Sequence, residues 1–241
     1  MLIEIVSHCY ARKFPHYAKA LIHQWNSLQV FKPTECDIVA TVVTSKDDQI
    51  TRNAIFDFEW DHWRQRKVIF LPEHQIGRRS IGRNKAALET KADIVWFADI
   101  DMMFGEDCLG QLARTPWPDV ATMVYPDQLL ISRTHRMGDM HLNSAVPNVW
   151  PEFSPVDFVL HRYTRAIGGV QIVMGDFAHR HGYLRDNEKF QRPAKKPFGD
   201  FRDDIAYRSF CKSLGRVRPI QLPNLFRIRH STCSYDDKVQ S

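Results

Sequence analysis

The 241-residue sequence has no uninterrupted apolar run of about 18 residues, so a membrane-spanning helix is not expected. The opening stretch MLIEIVSHCYARKF sets Glu4 and His8 where a secretory leader would need an apolar core, so a leader is not expected either. Cysteine is sparse. Cys9, Cys36, Cys108, Cys211 and Cys233 are odd in number, scattered and without a CxxC pair, which argues against a disulfide framework and a cysteine zinc knuckle. Together these absences point to a reducing, cytoplasmic setting, with peripheral membrane association left open. A continuous basic stripe is missing as well. The net charge is +5, yet the basic residues bunch in GRRSIGRNK (77–85), RPAKKPF (192–198) and RIRH (227–230), with mixed sequence between. Discrete clusters suit a diphosphate better than a duplex, so no nucleic acid partner is expected.

What is present is an ordinary core-forming composition, 44% hydrophobic, in a length suited to one α/β domain. LIEIVSHCY (2–10), CDIVATVVTS (36–45), KVIFLPE (67–73), DIVWFADID (93–101) and DVATMVYP (119–126) read as strands. Between them, FPHYAKALIHQWNSL (14–28), NAIFDFEWDHW (53–63), RSIGRNKAALETKA (79–92) and a short segment at 108–113 read as helices. Alternation of this kind predicts a mostly parallel central sheet with helices on both faces. From Asp127 to Arg165, a stretch that includes Trp150 and Phe153, periodicity is lost; a long irregular insertion over the sheet is expected there.

In such sheets ligands bind beyond the carboxyl ends of the strands. Asp99 and Asp101 end an apolar strand two residues apart, on one face if the strand continues, and two like charges so placed call for a cation or donors beside them. His8, Thr44 and Glu73 stand at other strand ends. Gly168-Gly169 would allow either unusual dihedrals or a close approach of backbone to a ligand. Asp203 and Asp204 open a predicted helix, where acidic residues are also ordinary first-turn chemistry.

The ordered series GRNKAAL, DID, IGGVQ, Asp203-Asp204 followed by IAYR, then IRHS resembles metal-dependent glycosyltransferases of the GT-A (Rossmann-like) fold, with family 2 and β-1,4-galactosyltransferase-type enzymes as the nearest likenesses. The resemblance runs from Leu2 to Thr232 and implies a single domain over 1–241, with a nucleotide-binding half (1–126) and an acceptor-binding and catalytic half (127–241). It implies a UDP-sugar donor, a glycan, lipid-linked or protein acceptor, and Mn²⁺ or Mg²⁺ held by Asp101 and His230 with Asp99 beside them. Arg227 stands where the galactosyltransferase type has a methionine ligand, and arginine cannot ligate a metal. Arg83 would lie over the nucleotide with Asn84 beside it, and His8, Thr44, Glu73, Gly168 and Gly169 would frame the donor. Asp204 is the implied base of an inverting transfer, Asp203 the close second, and Asp200 a stand-in for a displaced glutamate. RIRH and the polar tail after it are expected to be loose until donor and metal arrive. Two other classes stay open: a two-metal enzyme acting on nucleic acid or phosphate esters, which would want further acidic ligands, and a non-catalytic nucleotide-sugar-binding protein. A haloacid-type phosphatase would carry its DxD on the first strand, not the fourth.

Overall fold

The structure, a computed structural model, describes residues 1–59, 65–143, 155–195, 198 and 202–230. The apolar runs become strands of one seven-stranded sheet: β1 (Leu2–His8), β2 (Asp37–Ser45), β3 (Gln65–Leu71), β4 (Ile94–Ala98) and, beyond a three-residue β5 (Met102–Phe104), β6 (Ala121–Pro126). A second group of strands follows, β7 (Gln128–Ser132), β8 (Phe158–Arg162), β9 (Val170–Met174), β10 (Arg216–Ile220) and β11 (Leu225–Arg227). The large sheet has the order β10-β6-β9-β4-β1-β2-β3. Only β9 runs against its neighbours; the pairings β1–β2, β1–β4, β2–β3 and β10–β6 are parallel. The central strands are buried along nearly their whole length, which explains why they read as continuous Val/Ile runs rather than alternations. One charge sits among them: buried Glu4 accepts the hydroxyls of Thr41 (2.5 Å) and Thr90 (2.6 Å), so its desolvation is offset by two hydrogen bonds.

Helices α1 (His16–Val30), α2 (Gln49–Asp57), α3 (Glu73–Ile76), α4 (Arg79–Glu89) and α5 (Cys108–Arg114) punctuate the first strands; α6 (His135–Asn143), α7 (Gly175–His181), α8 (Glu188–Gln191) and α9 (Asp203–Leu214) the later ones. The helix expected at 53–63 starts four residues earlier, because Asp48 caps it by accepting the Thr51 amide at 3.0 Å; residues 60–63 lie outside the described ones. Glu73 opens α3 instead of ending a strand.

The segment 127–165 corrects the expectation of an irregular insertion. It contributes β7, α6 and β8, and with β5 and β11 it forms a second sheet of order β5-β11-β7-β8. Strands of three to five residues are too short to show a period, and their pairing partners are distant in sequence. Trp150 and Phe153 fall outside the described residues. Among the described residues no helix is long and apolar enough to cross a membrane.

Candidate functional site

β4 stops at Ala98, so Asp99 and Asp101 do not alternate along a strand. They lie in a turn closed by the Met102 amide on the Asp99 carbonyl (3.2 Å), between β4 and β5. α1 holds that turn with a buried polar side chain: Gln24 Nε2 donates to the carbonyls of Asp99 (3.0 Å) and Met102 (3.2 Å), while Ser7 Oγ donates to Gln24 Oε1 (2.8 Å). Each carboxylate has its own guanidinium. Asp99 Oδ1 accepts from Arg79 Nη1 (2.9 Å) and Arg83 Nη2 (3.3 Å), and Asp101 Oδ2 from Arg227 Nε (3.0 Å). Burial works against the charge of Asp99, yet Arg79 and Arg83, with Arg227 behind them, hold it below the usual carboxylate range. The mutual repulsion of the pair is thus met by arginine. Arg83 is itself buried, its guanidinium 5.3 Å from the Tyr183 ring centre and 5.9 Å from that of Phe97.

Opposite the turn comes the Gly168-Gly169 loop, held by Trp96 Nε1 on the Gly169 carbonyl (3.1 Å). The two glycines are not equivalent. A Cβ on Gly169 would stand 2.8 Å from Asp99 Oδ2 and 2.9 Å from the Met102 sulfur, so only glycine lets this backbone reach the carboxylate. A Cβ on Gly168 would meet only ordinary contacts, with Asp204 Oδ2 at 3.7 Å and Arg79 Nη2 at 3.9 Å. Asp204 therefore faces the same space as Arg79 and Asp99. Its neighbour does not: Asp203 is buried, takes the Ser80 amide at the start of α4 on Oδ2 (3.1 Å) and sits 3.6 Å from Arg78 Nη1. Asp203 works as a cap supplied from another helix. Among the described residues no hydrogen bond occupies the Asp204 carboxylate.

No protein-family model and no curated protein matches this sequence. Solved structures do match in three dimensions. The chain is similar to the mannosyltransferase PcManGT from Pyrobaculum calidifontis, in complex with GDP-Man and Mn²⁺, at 13% identity and a TM-score of 0.59, covering 96% of this chain and 58% of that one. It is also similar to S. aureus TarS 1-349, at 17% identity and a TM-score of 0.50, covering 94% of this chain and 60% of that one. The fold is a GT-A-like glycosyltransferase fold. This chain spans less than two thirds of the length of either neighbour.

Within the GT-A-like fold the remaining sequence candidates part company. His8 and Thr44, at the ends of β1 and β2, are buried; the His8 ring is pressed on Gly82, where a Cβ would come within 2.4 Å of Nε2. Burial, with Arg83 and Arg79 nearby, pushes the His8 pKa well below its ordinary value. Glu73 lies at the surface in an ion pair with Arg12 (3.2 Å). Asn84 Oδ1 accepts the Tyr183 amide (3.0 Å). Asp200 and residues 231–241 lie outside the described ones.

RIRH is tied to its surroundings by hydrogen bonds. Arg227 ends β11, the Ile228 amide donates to the Asp101 carbonyl (2.8 Å), and the Arg229 amide donates to Ser132 Oγ (2.8 Å). His230 is buried, its ring 4.7 Å from that of His16 and 5.9 Å from that of Tyr17, and His135 Nδ1 donates to its carbonyl (2.9 Å). Burial lowers the His230 pKa, with Asp101 pulling the other way. Toward a divalent cation the fit is partial. Asp101 Oδ1 is buried without a hydrogen-bond partner, as an oxygen kept for a cation would be, but its other oxygen is taken by Arg227. Among the described residues no three His, Cys, Asp or Glu side chains are already gathered as a metal site. Arg79, Gln24 and His16 were not singled out from sequence. Arg79 had a signal in the basic cluster ahead of GRNK; Gln24 and His16 had none, since a helix pattern does not reveal which polar residue turns inward.

Proposed function

We propose that the protein transfers a sugar from a nucleoside-diphosphate sugar, with UDP as the expected nucleotide, to a hydroxyl of a glycan, a lipid-linked sugar or a protein. One observation carries this reading: beyond the carboxyl ends of the parallel strands, two aspartates are neutralised by three arginines while a third carboxylate, Asp204, faces them across Gly168 on a glycosyltransferase fold. Guanidiniums arranged so can exchange a carboxylate for a diphosphate, which offers them the same forked acceptor. Arg79 and Arg83 are the residues we assign to the donor phosphates, with Gly168 and Gly169 against the sugar. His8, Thr44 and Asn84 would support the walls from behind, and Glu73 would stand at the outer edge of the nucleotide site.

Asp101, through its unpartnered Oδ1, with Asp99 and His230 would hold Mn²⁺ or Mg²⁺, the remaining ligands coming from the donor. Such a cation supplies neutralisation of the diphosphate and of the charge it acquires on leaving. Asp204 would take the proton of the acceptor hydroxyl as that oxygen attacks the anomeric carbon, so the configuration inverts. Asp203, already committed to the start of α4, would set the helix that carries Asp204. In these terms the chain resembles family 2 and β-1,4-galactosyltransferase-type enzymes, a single domain with nucleotide contacts mostly before residue 127 and the base after it.

The test is a panel of UDP- and GDP-sugars with Mn²⁺, followed by nucleoside diphosphate release with and without glycan, lipid-linked and peptide acceptors. Release that rises with one acceptor class supports the reading and names the acceptor. Neither binding nor release with any member would refute it.

A further inference from the structure

A run of hydrogen bonds leads away from the donor side of the site into the interior and returns at the helix that carries Asp204. Arg83, which holds Asp99, donates through Nη1 to the Tyr183 hydroxyl (3.1 Å). That hydroxyl donates to Gln171 Oε1 (2.8 Å), and Gln171 Nε2 donates to the backbone carbonyl of Asp204 (2.8 Å). The direction of each bond is forced. Arginine can only donate, so the hydroxyl accepts from it and has its single hydrogen left for Gln171; the carboxamide, receiving at its oxygen, gives from its nitrogen. Burial, opposed by Arg83, keeps the Tyr183 hydroxyl above the ordinary phenol range and therefore protonated.

We propose that Tyr183 and Gln171 are positioning residues that lock the first turn of α9, and with it Asp204, to the arginines of the donor site. The proposal rests on the transferase reading above. Four parts of the fold meet in this chain: α4 through Arg83, the stretch after α7 through Tyr183, β9 through Gln171 and α9 through Asp204. Arg83 is 1% exposed and Tyr183 and Gln171 are 0% exposed, so water offers no replacement for a lost bond. Tyr183 is braced as well. It stacks on Tyr207 of α9 with ring centres 3.9 Å apart, and its amide is held by Asn84. Because α9 begins at residue 203, the Asp204 carbonyl belongs to the first turn, and fixing it fixes the direction in which the Asp204 side chain leaves the helix. The bond from Asp203 to Ser80 ties the same turn to α4 a second time. Donor grip and base are then held at one separation. From sequence, Gln171 stood out only as part of IGGVQ, and Tyr183 was not singled out.

Tyr183→Phe removes the hydroxyl that joins the two halves of the chain of bonds, and Gln171→Met removes the final link at nearly constant volume. Tyr207→Phe is the control, since it takes a buried hydroxyl from the same aromatic stack without touching the relay. Donor affinity by calorimetry and turnover by nucleoside diphosphate release are measured in parallel, with thermal melting to show that each variant is folded. The expected result for Tyr183→Phe and Gln171→Met is kcat lower by about tenfold to a hundredfold with donor affinity changed far less, the cost of a misplaced reacting group. Tyr207→Phe should keep wild-type kcat. Wild-type kcat in folded Tyr183→Phe or Gln171→Met, or an equal loss in Tyr207→Phe, overturns the relay. A wild-type protein that releases nothing from any sugar nucleotide overturns the transferase reading itself, a distinguishable outcome.

Discussion

Two adjacent aspartates with the same charge and the same helix turn have different surroundings, and this decides what replacing each should do. Asp203 is buried on the Ser80 amide, so Asp203→Ala leaves α4 without its cap and Arg78 without its partner. A loss of about 1 kcal/mol is expected, or roughly 2–4 °C in Tm for a chain of this size. Asp204→Asn should leave Tm unchanged and lower kcat by a factor on the order of 10² to 10⁴, the range for a lost general base. Melting curves and turnover on both variants check this, and the reverse pattern would move the base to Asp203. A second residue-scale expectation concerns Arg227, which occupies one oxygen of Asp101 at 3.0 Å. If a divalent cation binds there, the guanidinium competes with it. Arg227→Met should raise Mn²⁺ affinity of the donor-free protein by about tenfold, equivalent to about 1.4 kcal/mol, and weaken nucleoside diphosphate binding. Titration of Mn²⁺ by paramagnetic resonance reads the first effect without any turnover, and an unchanged affinity would show that Arg227 is no competitor.

At the scale of elements, β11 anchors the segment that leads to His230. It is paired on both sides, antiparallel to β5 and parallel to β7, and Ile228 beyond it is tied to Asp101. The amides of Ile228 and Arg229 should therefore exchange slowly in the free protein, with no nucleotide or metal added. Hydrogen exchange at the unprotected rate in that state would instead support a segment recruited by donor. The large sheet was legible because β1, β2 and β4 are long buried runs that leave a periodic mark, and the order of DID, GGV and the acidic helix start suggested one site. The small sheet was not legible. β5, β7 and β11 are short, and what makes them strands is each other, across about a hundred residues of chain in the case of β7 and β11. The turn after Ala98 was hidden for a similar reason: nothing local announces that Gln24 of α1 will bend the chain there.

At the scale of the whole molecule, buried histidines bear on stability toward acid. Burial pushes His23 down to about 4 and His8 well below its ordinary value, while both titrate near 6.5 when unfolded. Folded pKa values lie below unfolded ones, so between about pH 6.5 and 4 the unfolded chain binds more protons and stability is lost as pH falls. Tm should drop from pH 7 to pH 5, and His23→Gln should flatten that slope; a Tm that rises on acidification would contradict the assignment. The small sheet has one more consequence, and it concerns time. Strands leave the ribosome in sequence order, and β11 is made after the two strands it must separate. Until it arrives, β5 and β7 present bare edges and Asp101 has no guanidinium to meet. The strands around β1 and β4 can thus assemble before this contact exists, and Arg227 reaches Asp101 only after β11 has been made.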